Sequence, residues 1–252
     1  MTSPADDEYR SGAYFQDPAR HAGDAVFKAA RFVELLRRTL PPSEISTFAD
    51  VGCGSGAATI AVADGLSHAG FRVTSVLGYD VSPHVGRLEH PGVTFVHDDF
   101  ASAGQVVDLV TLFDVIEHVP DPVGFLRRVA ARARYVGLHI PLDDSFNAAF
   151  RNLYRRKLSD PGHLVALDTA AALNLVAHAG VRTLDFDYVL GFEAPTQRGS
   201  LQARVAYPVR AALAALSPWL LAKTLGGASL MVIGRVPRGA EPLPPPVSAP
   251  TP

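Results

Sequence analysis

The segment that most constrains this chain is Asp50-Val51-Gly52-Cys53-Gly54-Ser55-Gly56, three glycines on alternate positions directly after a short strand pattern, Ser46–Val51. A helical pattern follows over Ala57–Ala69, and Gly70 closes it. Glycine permits the tight strand-to-helix turn and lets a ligand approach the main chain closely.

Strand and helix patterns continue to alternate. Strands are expected at Arg72–Tyr79, Val93–His97, Val107–Phe113 and Tyr135–Ile140, with a short segment at Pro83–Leu88. A helix is expected from Asp121, as N-cap with Pro122 at the first helical position, to Arg134. Upstream, Val26, Phe27, Ala30, Val33, Leu36 and Leu40 recur at helical spacing until Pro41 and Pro42. Such alternation implies parallel βαβ units and a doubly wound sheet. Beyond residue 141 come an insertion at Leu142–Gly162, expected to be partly helical, and a helix at Asp168–Ala179. A strand at Val181–Leu190, an apolar helical region at Leu201–Leu225 and a last strand at Ala228–Val236 complete the pattern. One domain is expected over residues 13–236, between a disordered start (1–12) and a proline-rich disordered tail (237–252).

Composition narrows the function. A formal net charge of −2 over 252 residues offers no electrostatic footprint for nucleic acid. The lone Cys53 rules out an internal disulfide and a cysteine-rich metal site. Met1–Arg10 is polar and acidic, without the apolar core of a signal peptide. The most apolar stretch, Ala211–Leu221, is broken by Pro218 and falls short of the roughly 20 residues of a bilayer span. A cytoplasmic protein is expected.

Asp80 ends the strand after the glycine turn, where an acidic residue can accept both hydrogen bonds of a ribose diol. The glycines run Gly-x-Gly-x-Gly, not the Gly-x-Gly-x-x-Gly of dinucleotide folds, which leaves less support for a pyrophosphate. A dinucleotide and a turn without a ligand are the alternatives.

Asp50–Gly56 resembles motif I of class I S-adenosylmethionine (SAM)-dependent methyltransferases, and Asp80 resembles their ribose-binding acidic residue. His97-Asp98-Asp99-Phe100 is similar to the segment in which such enzymes place an adenine-contacting Asp. Phe113–Pro122 is similar to the signature after strand four in the ubiquinone-biosynthesis O-methyltransferase-like branch. The resemblance implies a Rossmann-like α/β fold: a doubly wound sheet, mostly parallel with an antiparallel C-terminal strand, helices on both faces. It implies SAM as cofactor, with Asp50, Gly52, Gly54 and Gly56 at the methionine portion and Asp80 at the ribose. Val81 would pack on the adenine, Asp99 and Phe100 would flank its other edge, and Asp114 would line the methyl-donor end.

The acceptor side is less defined. His118, after the fourth strand, is the first candidate for a general base, against a role bracing its loop with Glu117. His163 is the second, since Gly162-His163-Leu164 resembles a motif in methyltransferases of glycan and glycolipid gene clusters. His139 could also face the cleft. No two histidines have ligand spacing on one element, so no metal is expected. Cys53 reads as a small tolerated side chain.

Arg151, Arg155, Arg156 and Lys157, among Phe146, Phe150 and Tyr154, form either a solvated basic face or a lid offering cations to a carboxylate, phosphate or sugar-phosphate acceptor. Arg127, Arg128, Arg132 and Arg134 read as the outer face of a helix. Val209–Leu221 reads as packing, a cap over a lipid-like acceptor, a homodimer surface or a peripheral membrane contact. Tyr9, Tyr14 and Phe15 could close over the cofactor. The expected function is methyl transfer to a small-molecule or glycan/glycolipid acceptor at a hydroxyl oxygen. The alternatives are N- or C-methylation in natural-product biosynthesis and SAM binding without methyl transfer.

Overall fold

A computed structural model describes residues 19–103, 105–198 and 201–237. Its strands are β1 (Thr47–Val51), β2 (Ser75–Asp80), β3 (Thr94–His97), β4 (Val107–Phe113), β5 (Ala133–Pro141), β6 (Arg182–Leu190) and β7 (Ala228–Arg235). They form a single sheet in the order β3-β2-β1-β4-β5-β7-β6. The pairs β1–β2, β2–β3, β1–β4 and β4–β5 are parallel. The last strand in sequence, β7, inserts antiparallel between β5 and β6. The Rossmann-like doubly wound sheet with an antiparallel C-terminal strand is therefore present as expected.

The described helices of the first half are α1 (Ala19–Thr39), α2 (Ala57–His68), α3 (Phe100–Ala103) and α4 (Pro122–Ala130). Those of the second half are α5 (Phe146–Phe150), α6 (Leu153–Ser159), α7 (Thr169–His178), α8 (Leu201–Leu216) and α9 (Pro218–Thr224). Both sheet faces are covered. Phe32 and Leu36 of α1 and Val62 and Leu66 of α2 pack on one face against Phe48, Leu109 and Ile233. On the other, Leu126 of α4, Val176 of α7 and Leu221 of α9 meet Val110, Val136 and Val232. A strand buried on both faces needs apolar residues at odd and even positions alike, which is why β4 reads as an almost unbroken apolar run.

Several boundaries differ from the sequence reading. The helix after β4 stops at Ala130 instead of Arg134, because Ala133 already begins β5. Arg134 sits on that strand and reaches Glu44 (2.7 Å) and Asp108 (3.3 Å), while Arg132 donates to the Ala101 carbonyl (2.7 Å). The four arginines therefore share no helix face; their sequence spacing merely continued the helical period into a strand. β2 begins at Ser75, since Thr74 bonds instead to the Ser46 carbonyl through its N–H (2.8 Å). The apolar region 201–225 is two helices, because Ser217 accepts a hydrogen bond from Leu220 N–H and starts α9 anew with Pro218. Among the described residues no helix is long and apolar enough to cross a membrane. The expected disordered start (1–12), all but the first residue of the expected disordered tail (237–252) and the aromatic lid at Tyr9, Tyr14 and Phe15 lie outside the described residues.

Candidate active site

The strand order reverses between β1 and β4, and in open α/β sheets ligands bind at the carboxyl ends of the strands at such a point. A cavity of about 450 Å³ lies there. The glycine turn forms one wall. Gly52 takes φ +75°, and a Cβ there would lie 2.5 Å from Val115 Cγ2, so the two loops touch only because the side chain is absent. Gly52 N–H and Cys53 N–H both donate to the Tyr79 carbonyl (2.8 and 3.0 Å). Asp50 is buried beneath the turn, where it accepts hydrogen bonds from Thr59 Oγ1 (2.7 Å) and Thr111 Oγ1 (2.6 Å). Burial pushes its pKa up to about 6 against the pull of those two hydroxyls.

Asp50, Gly52 and Gly54 line the cavity, as does Cys53, whose thiol burial drives well above its ordinary pKa, leaving it inert. Gly56 does not line it. At φ +75° this glycine starts α2, and a Cβ would lie 2.7 Å from the Phe95 ring, so its role is close packing behind the turn.

Asp80 faces the cavity from the end of β2. Its Oδ2 accepts from Gly54 N–H (2.8 Å) and its Oδ1 from Ser82 N–H (2.8 Å). A carboxylate oxygen can accept two hydrogen bonds, so each retains capacity for a ribose hydroxyl. Burial raises the Asp80 pKa, and those N–H groups oppose the rise. Val81 stands 47% exposed at the cavity edge, an apolar surface that a flat ring could cover. Across from it Asp99 accepts from Ala101 N–H (2.9 Å), and Phe100 packs edge-on against Tyr79 at 5.1 Å. Turn, acidic residue and apolar edges thus suit an adenosine-bearing ligand such as SAM.

Asp114 has φ +56° and turns its carboxylate between Lys28 Nζ and His139 Nδ1, the latter at 2.7 Å. Burial would raise its pKa, but these two partners outweigh that and hold it well below the usual carboxylate range. Burial would conversely lower the Lys28 pKa, and Asp114 raises it. His139 is buried against Asp114, so it acts on the site through that carboxylate.

The loop after β4 meets the insertion after β5. Leu164 N–H donates to the Glu117 carbonyl (2.7 Å), and His118 Nδ1 lies 3.2 Å from the Gly162 carbonyl. The rings of His118 and His163 then meet edge-on at 4.9 Å. His163 Nδ1 is hydrogen-bonded to Asp143, which also holds Lys157 Nζ. Its Nε2 lies 3.9 Å from Glu117 Oε1. Neither carboxylate oxygen of Glu117 has a hydrogen-bond partner among the described residues. Burial, with Asp114 nearby, raises the Glu117 pKa well above its ordinary value. Burial, with the neighbouring His163, lowers that of His118 to about 4. One ligand atom from each of Glu117, His118 and His163 lies within 4.8 Å of the others, close enough to surround a cation. The expectation of no metal rested on spacing within one element, whereas this cluster is assembled from two.

All the sequence-predicted site residues except Gly56 and His139 line this cavity. Sequence reading missed Lys28 and Asp143. Lys28 carried no signal beyond the polar face of a helix. Asp143 lies at the end of the Ile140-Pro141-Leu142-Asp143 run leaving β5, the sheet edge where site residues gather.

The fold and site define a doubly wound α/β protein with a cleft suited to a nucleoside. Residues 25–183, more than half of the chain, match the family model described as a methyltransferase domain. Over 139 residues the chain is 32% identical to the ubiquinone biosynthesis O-methyltransferase of Methylobacterium sp. (strain 4-46). That match takes in 50% of this chain and 48% of the relative, so it spans about half the length of each. Magnesium protoporphyrin IX methyltransferase (ChlM) from Synechocystis PCC 6803 with bound SAH superposes with a TM-score of 0.52 at 16% identity, over 94% of this chain and 89% of that one. The [4+2]-cyclase SpnF gives 0.53 at 17%, over 83% and 81%. The chain belongs to the methyltransferase-domain family, and its fold and cleft are of the class I SAM-dependent type.

Proposed function

We propose that the protein transfers the methyl group of SAM to a hydroxyl oxygen of a small-molecule or glycan/glycolipid acceptor. The observation that carries this reading is the Asp143–His163 pair, whose ring stands in the same cavity as the glycine turn and Asp80. SAM supplies a methyl group on a sulfonium leaving group, so the chain contributes alignment, exclusion of water and proton removal.

In this reading the main chain at Gly52 and Gly54, above the buried Asp50, lies against the methionine portion. Asp80 accepts the ribose hydroxyls, Val81 covers the adenine, and Asp99 and Phe100 flank its other edge. Asp114, held ionised by Lys28 and His139, lines the methyl end. Asp143 accepts the Nδ1–H of His163 and so leaves Nε2 as the proton acceptor. As the acceptor oxygen takes the methyl group, its proton passes to His163 Nε2, and Asp143 stabilises the cation formed. His118, with its pKa lowered to about 4, rarely holds a proton at neutral pH. It braces the His163 ring edge-on.

Isothermal titration with SAM, its demethylated product SAH and NAD tests the cofactor half. Micromolar binding of SAM or SAH and none of NAD is expected. A screen of hydroxylated glycans and aromatics, reading SAH release, tests the acceptor half. Methylation confined to amine or carbon acceptors would overturn the assignment to oxygen.

A further inference from the structure

Beyond His163 the cleft opens into a second cavity of about 1080 Å³, which shares Lys28, Asp114, Pro141 and His163 with the first. Its size is at the upper end of the range for small-molecule sites. A group whose oxygen stands at His163 must extend its remaining bulk here. One wall is apolar: Phe27, Val189 and Phe192 line it, with Tyr207 edge-on to Phe192 at 5.5 Å.

The charges of this cavity do not balance. Five cations line it, and three acids, Asp24, Asp114 and Asp143. Lys28 is ion-paired with Asp114 and Lys157 with Asp143. Asp24 accepts a hydrogen bond from Thr196 Oγ1 (2.6 Å). Arg151, Arg204 and Arg210 have no carboxylate partner among the described residues. Arg210 is half-buried and held in place, its Nη1 donating to the Gly226 carbonyl (2.8 Å). Burial lowers its pKa without any opposing anion. Arg155 and Arg156, equally basic in sequence, do not line the cavity. The three arginines without a carboxylate partner come from two distant segments, α8 and the turn after α5.

We infer that the methyl acceptor is an organic oxyanion: a hydroxylated molecule with an apolar body and a carboxylate or phosphate group held by Arg151, Arg204 and Arg210. This rests on the methyl-transfer reading above and names the substrate class of that site. A guanidinium presents a fork of donors that fits both oxyanions, and a cleft with excess charge of one sign draws in the opposite sign. The apolar wall at Phe27, Phe192 and Tyr207 takes the body of the acceptor. Its hydroxyl, at the other end, meets His163.

The test titrates full-length protein, with and without SAH, against 3-hydroxybenzoate, 3-hydroxyphenyl phosphate and the neutral 3-hydroxybenzyl alcohol. Either anion should bind at least about tenfold more tightly than the alcohol and weaken with added salt. The tighter of the two tells carboxylate from phosphate. In the double variant Arg151→Gln/Arg204→Gln, both at exposed positions, anion affinity should fall about tenfold or more while SAH affinity stays unchanged. Arg210→Gln should lose as much, and the double variant keeps the test decisive if removing that buried donor unfolds the chain. Binding of the alcohol as tight as that of the anions, no anion binding up to about 10 mM, or full anion affinity in the double variant would each overturn the inference. Failure of SAH to bind would instead remove the methyl-transfer reading, and the anion arm without SAH reads independently of it.

Discussion

The cofactor side and the acceptor side of the cleft are built by different means. On the cofactor side the main chain does most of the work: seven consecutive residues form the turn, and Asp80 is locked by two backbone N–H groups. The acceptor side draws on side chains from α1, the β4 loop, the insertion after β5, the end of β6 and the segment after it, α8 and the start of β7. Its groups are ionisable and paired across long separations, such as Lys28 with Asp114 and His163 with Asp143. A backbone cradle accepts a constant ligand, since its donors cannot be changed by substitution. A side-chain cluster can be revised one residue at a time, which suits the half that selects an acceptor.

The largest expected effect breaks the acceptor side alone. His163→Ala should lower turnover about 10²–10⁴-fold with SAM affinity within about twofold, measured by SAH release and by titration. His118→Ala should cost less than His163→Ala. The reverse order would make His118 the base and His163 its support.

Asp80→Ala attacks the cofactor side. Loss of two charge-assisted hydrogen bonds should weaken SAH binding about 30- to 1000-fold while the circular dichroism spectrum persists. Unchanged affinity would mean that the ribose lies elsewhere.

A substitution beneath the turn sharpens the contrast through stability. Folding raises the Asp50 pKa to about 6, above the ordinary carboxylate value near 3.9 that applies when the chain is unfolded. A carboxyl whose pKa rises on folding stabilises fully below its unfolded pKa, and that contribution is lost as the pH climbs through about 6. A shift of this size corresponds to about 3 kcal/mol. Urea midpoints should therefore fall between about pH 4 and pH 7 in the wild type by more than in Asp50→Asn, whose side chain cannot ionise. Parallel pH profiles would show that Asp50 titrates normally.

The smallest effect is expected at Gly56. Gly56→Ala should destabilise by about 1–3 kcal/mol, through left-handed strain and displacement of the Phe95 ring, with SAH affinity little changed in the folded protein. A selective loss of SAH binding would return Gly56 to the cofactor wall.

These two sides were unequally legible in the sequence. The glycine turn and Asp80 announce themselves because a local conformation, positive φ in a strand-to-helix turn, demands particular residues at particular offsets. Asp99, Phe100 and Asp114 were legible only through the resemblance of His97–Phe100 and Phe113–Pro122 to segments of class I methyltransferases. Gly56 was misplaced by the same reasoning, since spacing cannot tell a glycine that admits a ligand from one that admits a phenylalanine ring. The Arg127–Arg134 cluster failed similarly, because a period of 3.6 can run on by chance past the point where hydrogen bonds change partners.

What the sequence by itself determined is the layered fold and the glycine turn with Asp80 at one end of the cleft, both consequences of short-range rules: apolar periodicity, caps, and glycine where the backbone must bend or be approached. What only the tertiary structure decided is which charges meet. Lys28 finds Asp114 across 86 residues, and His163 finds Asp143 across 20 through a folded insertion. It likewise decided that Arg151, Arg204 and Arg210 face the cavity while Arg155 and Arg156 do not. An isolated charged residue has no local conformational preference strong enough to reveal its partner. Pairing depends on where the sheet brings distant loops together and on how much water the packing excludes.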